Sequence, residues 1–535
     1  MSQLDSVFVR KSTGLVREAS FLDAAIFTAC FSAPVGATLA FGIFWALNTF
    51  PGTNLIVATS MAGLLDVPIL FMMALMASSM PRTGGDYIWV SRVLSPPVAM
   101  VSNFAAALSA LIGASYWARI WGPQTVAPSL AIMGHVLHNQ TLINMSQAAG
   151  NNWWTFALGF FMILVLIVTL GLGTRKMFKV QNICFFIAMA GTLLAFIVLL
   201  FGHQMTFVQN FNAFAASFTG SQDSYNYIIQ QAGLATSGTN MWSATMPTIV
   251  CIMTFMVWNF WSVYLSGEMK SAGQRRRQTS IMLSALIFDV VFIIVGILLI
   301  NKVVGSQFLA SVNALSGTDQ YTLPVQPYFN FFAGMVANNP LLNILIGVSF
   351  LFWNLPAMVG NTFMPIRSLF AWSFDRVLPE KLSEVNEKTH SPLWAIGVVG
   401  ILVIGIFTWS ILSTSFFTLL SLGALCGVIL ISIVAVSAVV MPYRRKEMFE
   451  TSPANIRWGK VPVLVVLGVL SFAVMMFILY LLMAYPAIGI PSPTYAIVFI
   501  VAVAAVGLLI YYIAKAVRKS KGIDISLAYK ELPPE

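Results

Sequence analysis

Three ionisable side chains lie near the centre of long apolar runs in this sequence: Asp66, Asp289 and Arg119. In surroundings of low dielectric constant the charged form of a carboxylate is disfavoured, which favours uptake of a proton. The chemistry predicted for Asp66 and Asp289 is therefore proton coupling. A structural role is the alternative, in which Arg119 forms an ion pair with one Asp and the other Asp bonds a Ser or a backbone group.

Other residue types that commonly carry chemistry are scattered. Only His135 and His138 lie close together among the four histidines, and two ligands rarely suffice to bind a metal. No Gly-x-x-x-x-Gly-Lys-Ser/Thr phosphate-binding loop occurs, which argues against a nucleotide-driven pump. The four cysteines form no CxxC pair. Single cysteines inside apolar runs are typically small buried core residues. They are Cys30, Cys184, Cys251 and Cys426. We expect no metal, no cofactor and no enzymatic activity.

The composition indicates which elements must position these residues. Of the 535 residues 58% are hydrophobic and 9% are charged, and the mean hydropathy is +0.85. Soluble domains carry about a quarter charged residues, so a chain this poor in charge predicts an all-α polytopic membrane protein in the lipid bilayer. Soluble enzymes and secreted disulfide-rich scaffolds are excluded. The net charge of +10 does not indicate a nucleic-acid partner, because the basic residues follow the membrane topology.

A helix crosses the hydrocarbon layer with roughly 20 apolar residues, and twelve runs of that kind are present. The third and eighth runs are too long to stand upright, which predicts a strong tilt or an extension past the bilayer. The predicted spans are 22–47, 55–80, 97–133, 153–172, 180–202, 244–266, 279–301, 341–372, 393–412, 416–440, 461–484 and 494–514.

The basic residues predict the orientation of these spans. Of the 28 Lys and Arg residues, all but Arg119, Lys302 and Arg367 lie in the termini or in alternate connections. The positive-inside rule places those connections and both termini in the cytoplasm, as a multi-pass protein of the cell membrane. An even number of spans also requires both termini on one side.

The pattern of the spans predicts an internal repeat. Pro34, Gly36 and Gly42 interrupt the first span, and a broken backbone inside a bilayer is typical of a binding site. A proline kink with glycines for close packing is the alternative. Asp66 and Asp289 lie at similar depths in the second and seventh spans. These positions are equivalent if two five-span units follow each other in inverted orientation.

Four short segments stand out in order along the chain. They are GATLAFGIF at 36–44, PRTGGDY at 81–87, GEMK at 267–270, and RSLFAWSFDRVLP at 367–379 with VNEKTHSP at 385–392. These segments resemble motifs of transporters of the amino acid, polyamine and organocation (APC) superfamily. The resemblance implies a five-plus-five inverted repeat with broken helices 1 and 6, followed by two extra helices. It also implies a secondary transporter of amino acids or related amines that works by alternating access.

The resemblance also implies where a substrate binds. The N–H groups near Phe41 and Gly42 would start an outward half-helix and attract a carboxylate, and the carbonyl end near Val257 and Trp258 would receive an ammonium. Glu268, Arg82 and Arg367 would belong to a cytoplasmic gate formed by 81–96 and 367–392. The implied substrate-binding residues are Gly36, Ala37, Thr38, Ala40, Phe41, Gly42, Phe255, Val257, Trp258 and Asn259.

The sequence departs from the family pattern at three places. Trp258 stands where the family usually has Gly, and Ala188 stands where some relatives have a Lys in the fifth helix. Pro356 and Ala357 align with the Ser and Thr of sodium-coupled relatives. Proton coupling through Asp66 or Asp289, substrate exchange and uncoupled flux therefore all stay open.

The predicted function is a secondary transporter whose partners are a small amino acid or amine, the bilayer and, as a candidate coupling ion, the proton. A nutrient-sensing receptor or a channel on the same fold is the alternative. The major facilitator fold fits less well, because it usually has a long inner loop after the sixth span. The predicted parts are 1–21 and 515–535 as cytoplasmic termini, 22–202 and 244–440 as the repeats, 203–243 as an outer loop, 441–460 as an inner loop and 461–514 as the last two helices.

Overall fold

The computed structural model describes residues 17–32, 34–233, 241–316, 318–413 and 416–529, and these residues are overwhelmingly helical. The first half of the chain contributes eleven of the described helices. They are α1 (Phe21–Ser32), α2 (Ile43–Thr49), α3 (Leu55–Ser79), α4 (Asp86–Val93), α5 (Pro96–Ile120), α6 (Ala127–Val136), α7 (Gln140–Ala149), α8 (Asn152–Gly171), α9 (Thr174–Phe201), α10 (Gln204–Thr219) and α11 (Ser224–Ala232).

The second half of the described chain contributes another eleven helices and two very short strands, β1 (Arg457–Trp458) and β2 (Val461–Pro462), which pair antiparallel. The helices are α12 (Met241–Met256), α13 (Arg275–Val304), α14 (Ser306–Leu315), α15 (Phe329–Ala337), α16 (Pro340–Leu351), α17 (Asn354–Phe374), α18 (Leu393–Leu412), α19 (Phe416–Arg444), α20 (Lys446–Glu450), α21 (Val463–Ala484) and α22 (Pro493–Ser520).

Within the described residues, eleven helical stretches are long and apolar enough to cross a membrane. They correspond to the second to twelfth predicted spans. The first predicted span is represented by two shorter apolar helices, Phe21–Ser32 and Thr38–Thr49. Large apolar side chains such as Phe161, Phe186 and Ile401 are exposed on the outer helices. The chain is therefore a multi-pass membrane protein whose outer surface suits lipid.

The two longest predicted spans are not single tilted helices. The third consists of α5 and α6 joined by a π-helical stretch, Trp121–Val126, which contains Pro123. Proline has no N–H to donate, so the regular hydrogen bonding of the α-helix is broken at Pro123, which explains the wider turns there. The eighth consists of α16 and α17, which are separated at Phe352 and Trp353. Regular α-helical geometry is therefore interrupted once within each of these spans.

Capping side chains mark where several helices begin. The side-chain oxygen of Asn54 accepts a hydrogen bond from the N–H of Val57 at the start of α3, and Asn339 and Ser492 cap α16 and α22 in the same way. These caps satisfy N–H groups that have no partner inside the helix. At the C-terminal end of α10, Gly220 adopts a left-handed conformation with φ +70°, which ends the helix without strain.

Helix α5 lies in the middle of the bundle, where it packs against α17, α18, α19 and α22. Helix α3 packs against α12 and α13, and α1 packs against α13 and α17. Small residues such as Ala106, Ala110 and Ala114 are buried along α5. Small side chains let helix backbones approach closely, which is the usual way of packing helices in lipid.

Gly191 on α9 should be intolerant of a side chain. A Cβ at this position would overlap Ser349 on α16, so we expect Gly191→Val to destabilise the protein by about 1–3 kcal/mol through overpacking. Gly405→Val on α18 is the matched control, because a Cβ at Gly405 meets nothing. The measurement is the midpoint of thermal unfolding in detergent, and equal midpoints for the two variants would contradict the packing.

Candidate functional site

Two of the interrupted helices lie in the interior of the bundle beside a cavity. After α1 ends at Ser32, the stretch Pro34–Gly42 forms wide π-helical turns that lead into α2. Gly42 has right-handed helical dihedrals, φ −60° and ψ −37°. The α-helix that follows begins at Ile43 with Gly42 at its N-cap, next to the predicted start of an outward half-helix near Phe41 and Gly42. The irregular stretch before it is a widened helix.

The second interruption follows α12, which ends at Met256. A turn formed by 257–260 leads into a 3-10 helix, Trp261–Leu265. The indole N–H of Trp258 donates to the carbonyl of Thr254 at 2.9 Å, and that of Trp261 donates to the carbonyl of Gly360 at 3.0 Å. These bonds fix both rings at the point where the helix stops.

A central cavity of about 50 Å³ lies beside both interruptions. It is bounded by α1, α5, α12, α17 and α19. Its wall is aromatic on one side, where the ring of Phe31 stacks on Trp261 at 3.9 Å and meets Trp258 edge-on at 6.0 Å. Its lining is Phe31, Ser109, Ile112, Gly113, Tyr116, Trp117, Thr254, Phe255, Trp258, Asn361, Leu420, Gly423 and Ala424.

The structure separates the predicted substrate-binding residues into several groups. Phe255 and Trp258 line the central cavity, whereas Val257 lines a neighbouring apolar pocket with Met475 and Ile478. The side chain of Asn259 lies close to the carboxylates of Asp66 and Asp289. The remaining predicted residues, Gly36, Ala37, Thr38, Ala40, Phe41 and Gly42, belong to the π-helical stretch.

Within that stretch, Gly36 is in close contact with neighbouring helices. The carbonyl of Gly36 accepts a hydrogen bond from the side chain of Gln124 at 3.0 Å, and a Cβ on Gly36 would meet Trp117 and Trp353. Thr38 and Ala40 are buried. Close packing therefore requires glycine at position 36.

Several cavity residues were missed by the sequence reasoning. Ser109, Gly113 and Tyr116 recur on one face of α5 at helical spacing, and Asn361 is a buried polar residue of α17. Because a Cβ on Gly113 would overlap the side chain of Asn361, the glycine lets this amide reach the cavity. The sequence feature that could have identified this face of α5 is the recurrence of polar or small residues at i, i+4 and i+7 in the long third span.

The two buried acids meet near the second interruption. The amide Nδ2 of Asn259 donates to Asp66 Oδ2 at 3.1 Å, and the hydroxyl of Ser32 donates to Asp289 Oδ1 at 3.1 Å. Asn259 and Asp66 also lie close enough to Asp289 to interact with it. Among the described residues, nothing donates to Asp66 Oδ1 or Asp289 Oδ2. Acids from the second and seventh spans therefore share one site.

Arg119 does not provide the predicted ion pair with these acids. Its guanidinium donates to the carbonyl of Ser410 on α18. It also interacts with Tyr328 and lines an outer cavity. The reason is its position at the last turn of α5, which carries the side chain away from the carboxylates that contact Asn259 and Ser32.

A layer of aromatic rings separates the central cavity from this outer cavity. Phe41 contacts Tyr116, Phe255 and Tyr328, with ring centroids 5.5, 6.3 and 6.0 Å apart. Tyr116 and Phe255 line the central cavity, and Phe41 and Tyr328 line the outer one. The layer closes the central cavity toward the end of the bundle that holds α14.

A buried ion pair lies at the opposite end of the bundle. The guanidinium of Arg367 donates to both carboxylate oxygens of Glu268, with Nη2 to Oε2 at 3.0 Å, and the hydroxyl of Thr174 donates to Oε2 at 2.8 Å. The backbone of Glu268 also accepts from the N–H of Ala19 at 3.0 Å. Arg82, in contrast, contacts the carbonyl of Pro81 in its own loop.

The connection that contains α4 is fixed by a second polar cluster. Asp86 accepts hydrogen bonds from Ser102, Asn103 and Tyr264 at 2.7 to 2.8 Å. Burial raises the pKa of Asp86 to about 6, although these three bonds oppose the rise. This acid ties the connection to α5 and to the 3-10 turn after α12.

Arg92 of α4 links this connection to two other segments. It forms an ion pair with Asp375 at 3.3 Å and donates to the carbonyl of Ala528 at 3.3 Å. The hydroxyl of Tyr87 lies 2.9 Å from that of Tyr529. The segment Ile525–Tyr529 is thereby held against the same end of the bundle as the Glu268 pair.

A bundle of membrane-spanning helices with a cavity between two interrupted helices is the architecture of a helical membrane transporter. A family model described as amino acid permease matches residues 20–504. The match covers most of the chain, so the protein belongs to the amino acid permease family, and the predicted resemblance is confirmed. Membership indicates a transporter of amino acids rather than an enzyme. No curated protein matches the sequence.

We expect Glu268→Gln to destabilise the protein strongly. The change removes the charge that compensates Arg367, which is 3% exposed, and breaking a buried pair costs about 3–5 kcal/mol. The measurement is the midpoint of thermal unfolding in detergent. Glu450→Gln is the control, since its pair with Lys446 at 3.9 Å is solvent-exposed and should contribute little. Equal midpoints for both variants would contradict this prediction.

Proposed function

We propose that the protein is a secondary transporter of amino acids or related amines that works by alternating access around the central cavity. The observation that carries this proposal is the position of the cavity. It lies between two interrupted helices, with the aromatic layer of Phe41 on one side and the Glu268–Arg367 pair on the other. Opening one closure at a time would expose the cavity alternately to the two sides of the membrane.

The topology proposed for this transporter has twelve spans, with residues 21–49 as the first. The first ten form a five-plus-five inverted repeat, and both termini face the cytoplasm of the plasma membrane. The meeting of Asp66 and Asp289 at Asn259 supports the repeat, because α3 and α13 are its equivalent helices. The basic connections support the orientation.

The substrate in this proposal is held by its ammonium group at the end of α12. Backbone carbonyls at a helix C-terminus carry partial negative charge, and the faces of aromatic rings attract cations. The rings of Phe31 and Trp258 stand beside this end of the helix. Phe255, Trp258 and the lining residues of α5 would then determine the size of the substrate.

The same proposal makes the other end of the bundle a cytoplasmic gate. Segments 81–96 and 367–392 would form it, with Glu268 and Arg367 as its buried pair and Arg82 at its rim. The bonds of Arg92 to Asp375 and to Ala528 support this role, because they connect the two segments and the C-terminal tail.

The first test is uptake of labelled amino acids by proteoliposomes, with Gly423→Leu as the key variant. A side chain at Gly423 would extend toward Ile112 and Ser109 in the central cavity, so we expect at least about a tenfold loss of substrate affinity without loss of fold. Gly405→Leu on the exposed face of α18 is the control. Binding without uptake in the wild type would favour a receptor. Unchanged substrate affinity in Gly423→Leu would show that the substrate binds outside the central cavity.

We further propose that transport is coupled to protons through Asp66 and Asp289. Two carboxylates that share one buried site cannot both be ionised at low cost, so one of them retains a proton. The groups that donate hydrogen bonds to these acids, the amide of Asn259 and the hydroxyl of Ser32, are neutral. Besides Asp66, the thiol of Cys30 is an ionisable group close to Asp289. Asn259 lies within the interruption that follows α12, which connects the proton site to the substrate cavity.

We expect Asp66→Asn and Asp289→Asn to abolish accumulation driven by a proton gradient while exchange of substrate persists. The amide keeps the shape of the carboxylate but cannot release a proton. Uptake is measured across pH with and without a sodium gradient, and Asp319→Asn on an exposed connection is the control. Wild-type pH profiles in both variants, or accumulation driven by sodium alone, would overturn this coupling.

A further inference from the structure

The outer cavity, on the far side of the aromatic layer from the central cavity, has a volume of about 300 Å³. Its wall is formed by α2, the end of α5, the π-helical stretch Trp121–Val126, α14 and residues 326–328. This volume is large enough for a small organic molecule. Since Phe41 and Tyr328 belong to both its wall and the aromatic layer, a molecule in this cavity would lie directly against the closure.

The charge of this cavity favours an anion. Among the described residues that line it, Arg119 is the only Lys, Arg, Asp, Glu or His. Arg119 is partly buried and lies close to Tyr328. A guanidinium at a partly buried site attracts a carboxylate far more strongly than one in open water, because the surroundings screen it less.

The guanidinium is also held in place. One of its Nη atoms donates to the carbonyl of Ser410 on α18, and a guanidinium is a rigid planar group. The amide of Gln326 and the side chain of Asn48 line the same cavity. Asn48 Nδ2 donates to the carbonyl of Asn313 at 2.7 Å, which fixes this part of the wall.

We infer that the outer cavity is an entry site in which Arg119 binds the carboxylate of the substrate before the substrate passes the aromatic layer. The inference rests on the proposed transport function and extends it, because the central cavity is lined by no acidic or basic side chain among the described residues. A carboxylate that is first bound at Arg119 would pass to backbone groups at the central cavity. The ligand chemistry is therefore an amino acid with a free carboxylate, and inorganic anions are competitors for the same group.

The test measures initial uptake rates in proteoliposomes as a function of substrate concentration. We expect Arg119→Gln to raise KM about tenfold with little change in maximal rate, because it removes a charge-assisted hydrogen bond to the carboxylate. Arg119→Lys should recover part of this loss, since it keeps the charge but not the planar fork. Lys302→Gln is the matched control, because Lys302 binds the carbonyl of Leu200 outside the cavity.

A second variant leaves Arg119 itself unchanged. Gln326→Glu places a carboxylate of the same shape in the cavity wall, where it would compete with the substrate for Arg119 and should also raise KM several-fold. Gln222→Glu on the exposed connection before α11 is its control. Replacing the chloride salt of the outer buffer by uncharged sucrose at equal osmolarity distinguishes a general anion site. If Arg119 binds any anion, KM for the amino acid would fall in sucrose for the wild type and stay constant for Arg119→Gln.

The outcomes separate the two proposals. If the wild type neither binds nor transports any amino acid, the proposed function fails and this inference fails with it. If the wild type transports but Arg119→Gln and Gln326→Glu keep the wild-type KM, the entry site is refuted and the transport function stands. The entry site is also refuted if the amide of the same amino acid, which has no carboxylate, loses as much inhibitory potency in Arg119→Gln as the amino acid does.

Discussion

The structure depends on one constraint, which is that hydrocarbon offers no hydrogen-bond partner to the backbone. The helices that expose apolar side chains, such as α8, α9 and α18, run without interruption. Irregular backbone occurs at Pro34–Gly42 and at 257–260, where the described side chains are buried by neighbouring helices. The interior of the bundle can therefore hold broken helices, and the cavity forms where two of them lie side by side.

The same constraint determines where charges can be buried. Glu268 with Arg367, and Arg92 with Asp375, are ion pairs at one end of the bundle. In the interior, Asp66 is bonded by the neutral amide of Asn259 instead. An acid that has a cationic partner stabilises a fixed geometry, whereas an acid with only neutral donors can gain or lose a proton. The proposed coupling role therefore falls to acids that form no ion pair with a described residue.

Different interactions lie on the two sides of the central cavity. Each aromatic pair around Phe41 contributes about 0.5–1.5 kcal/mol beyond its buried area. At the other end, separating Glu268 from Arg367 would leave a buried charge without compensation, at a cost of about 3–5 kcal/mol. The two sides of the cavity are therefore held by different kinds of interaction.

The helical spans can be predicted from the amino-acid sequence, because a stretch of about 20 apolar residues has no other stable form in a bilayer. The family can be predicted from short motifs such as PRTGGDY, and Asp66, Asp289 and Arg119 are unusual in any reading of the sequence. Which residues meet is known only from the folded structure. It brought both acids to Asn259, carried Arg119 to Ser410, and placed Ser109, Tyr116 and Asn361 around the cavity. These contacts depend on how helices rotate and bend against each other, and hydropathy along one helix does not contain that information.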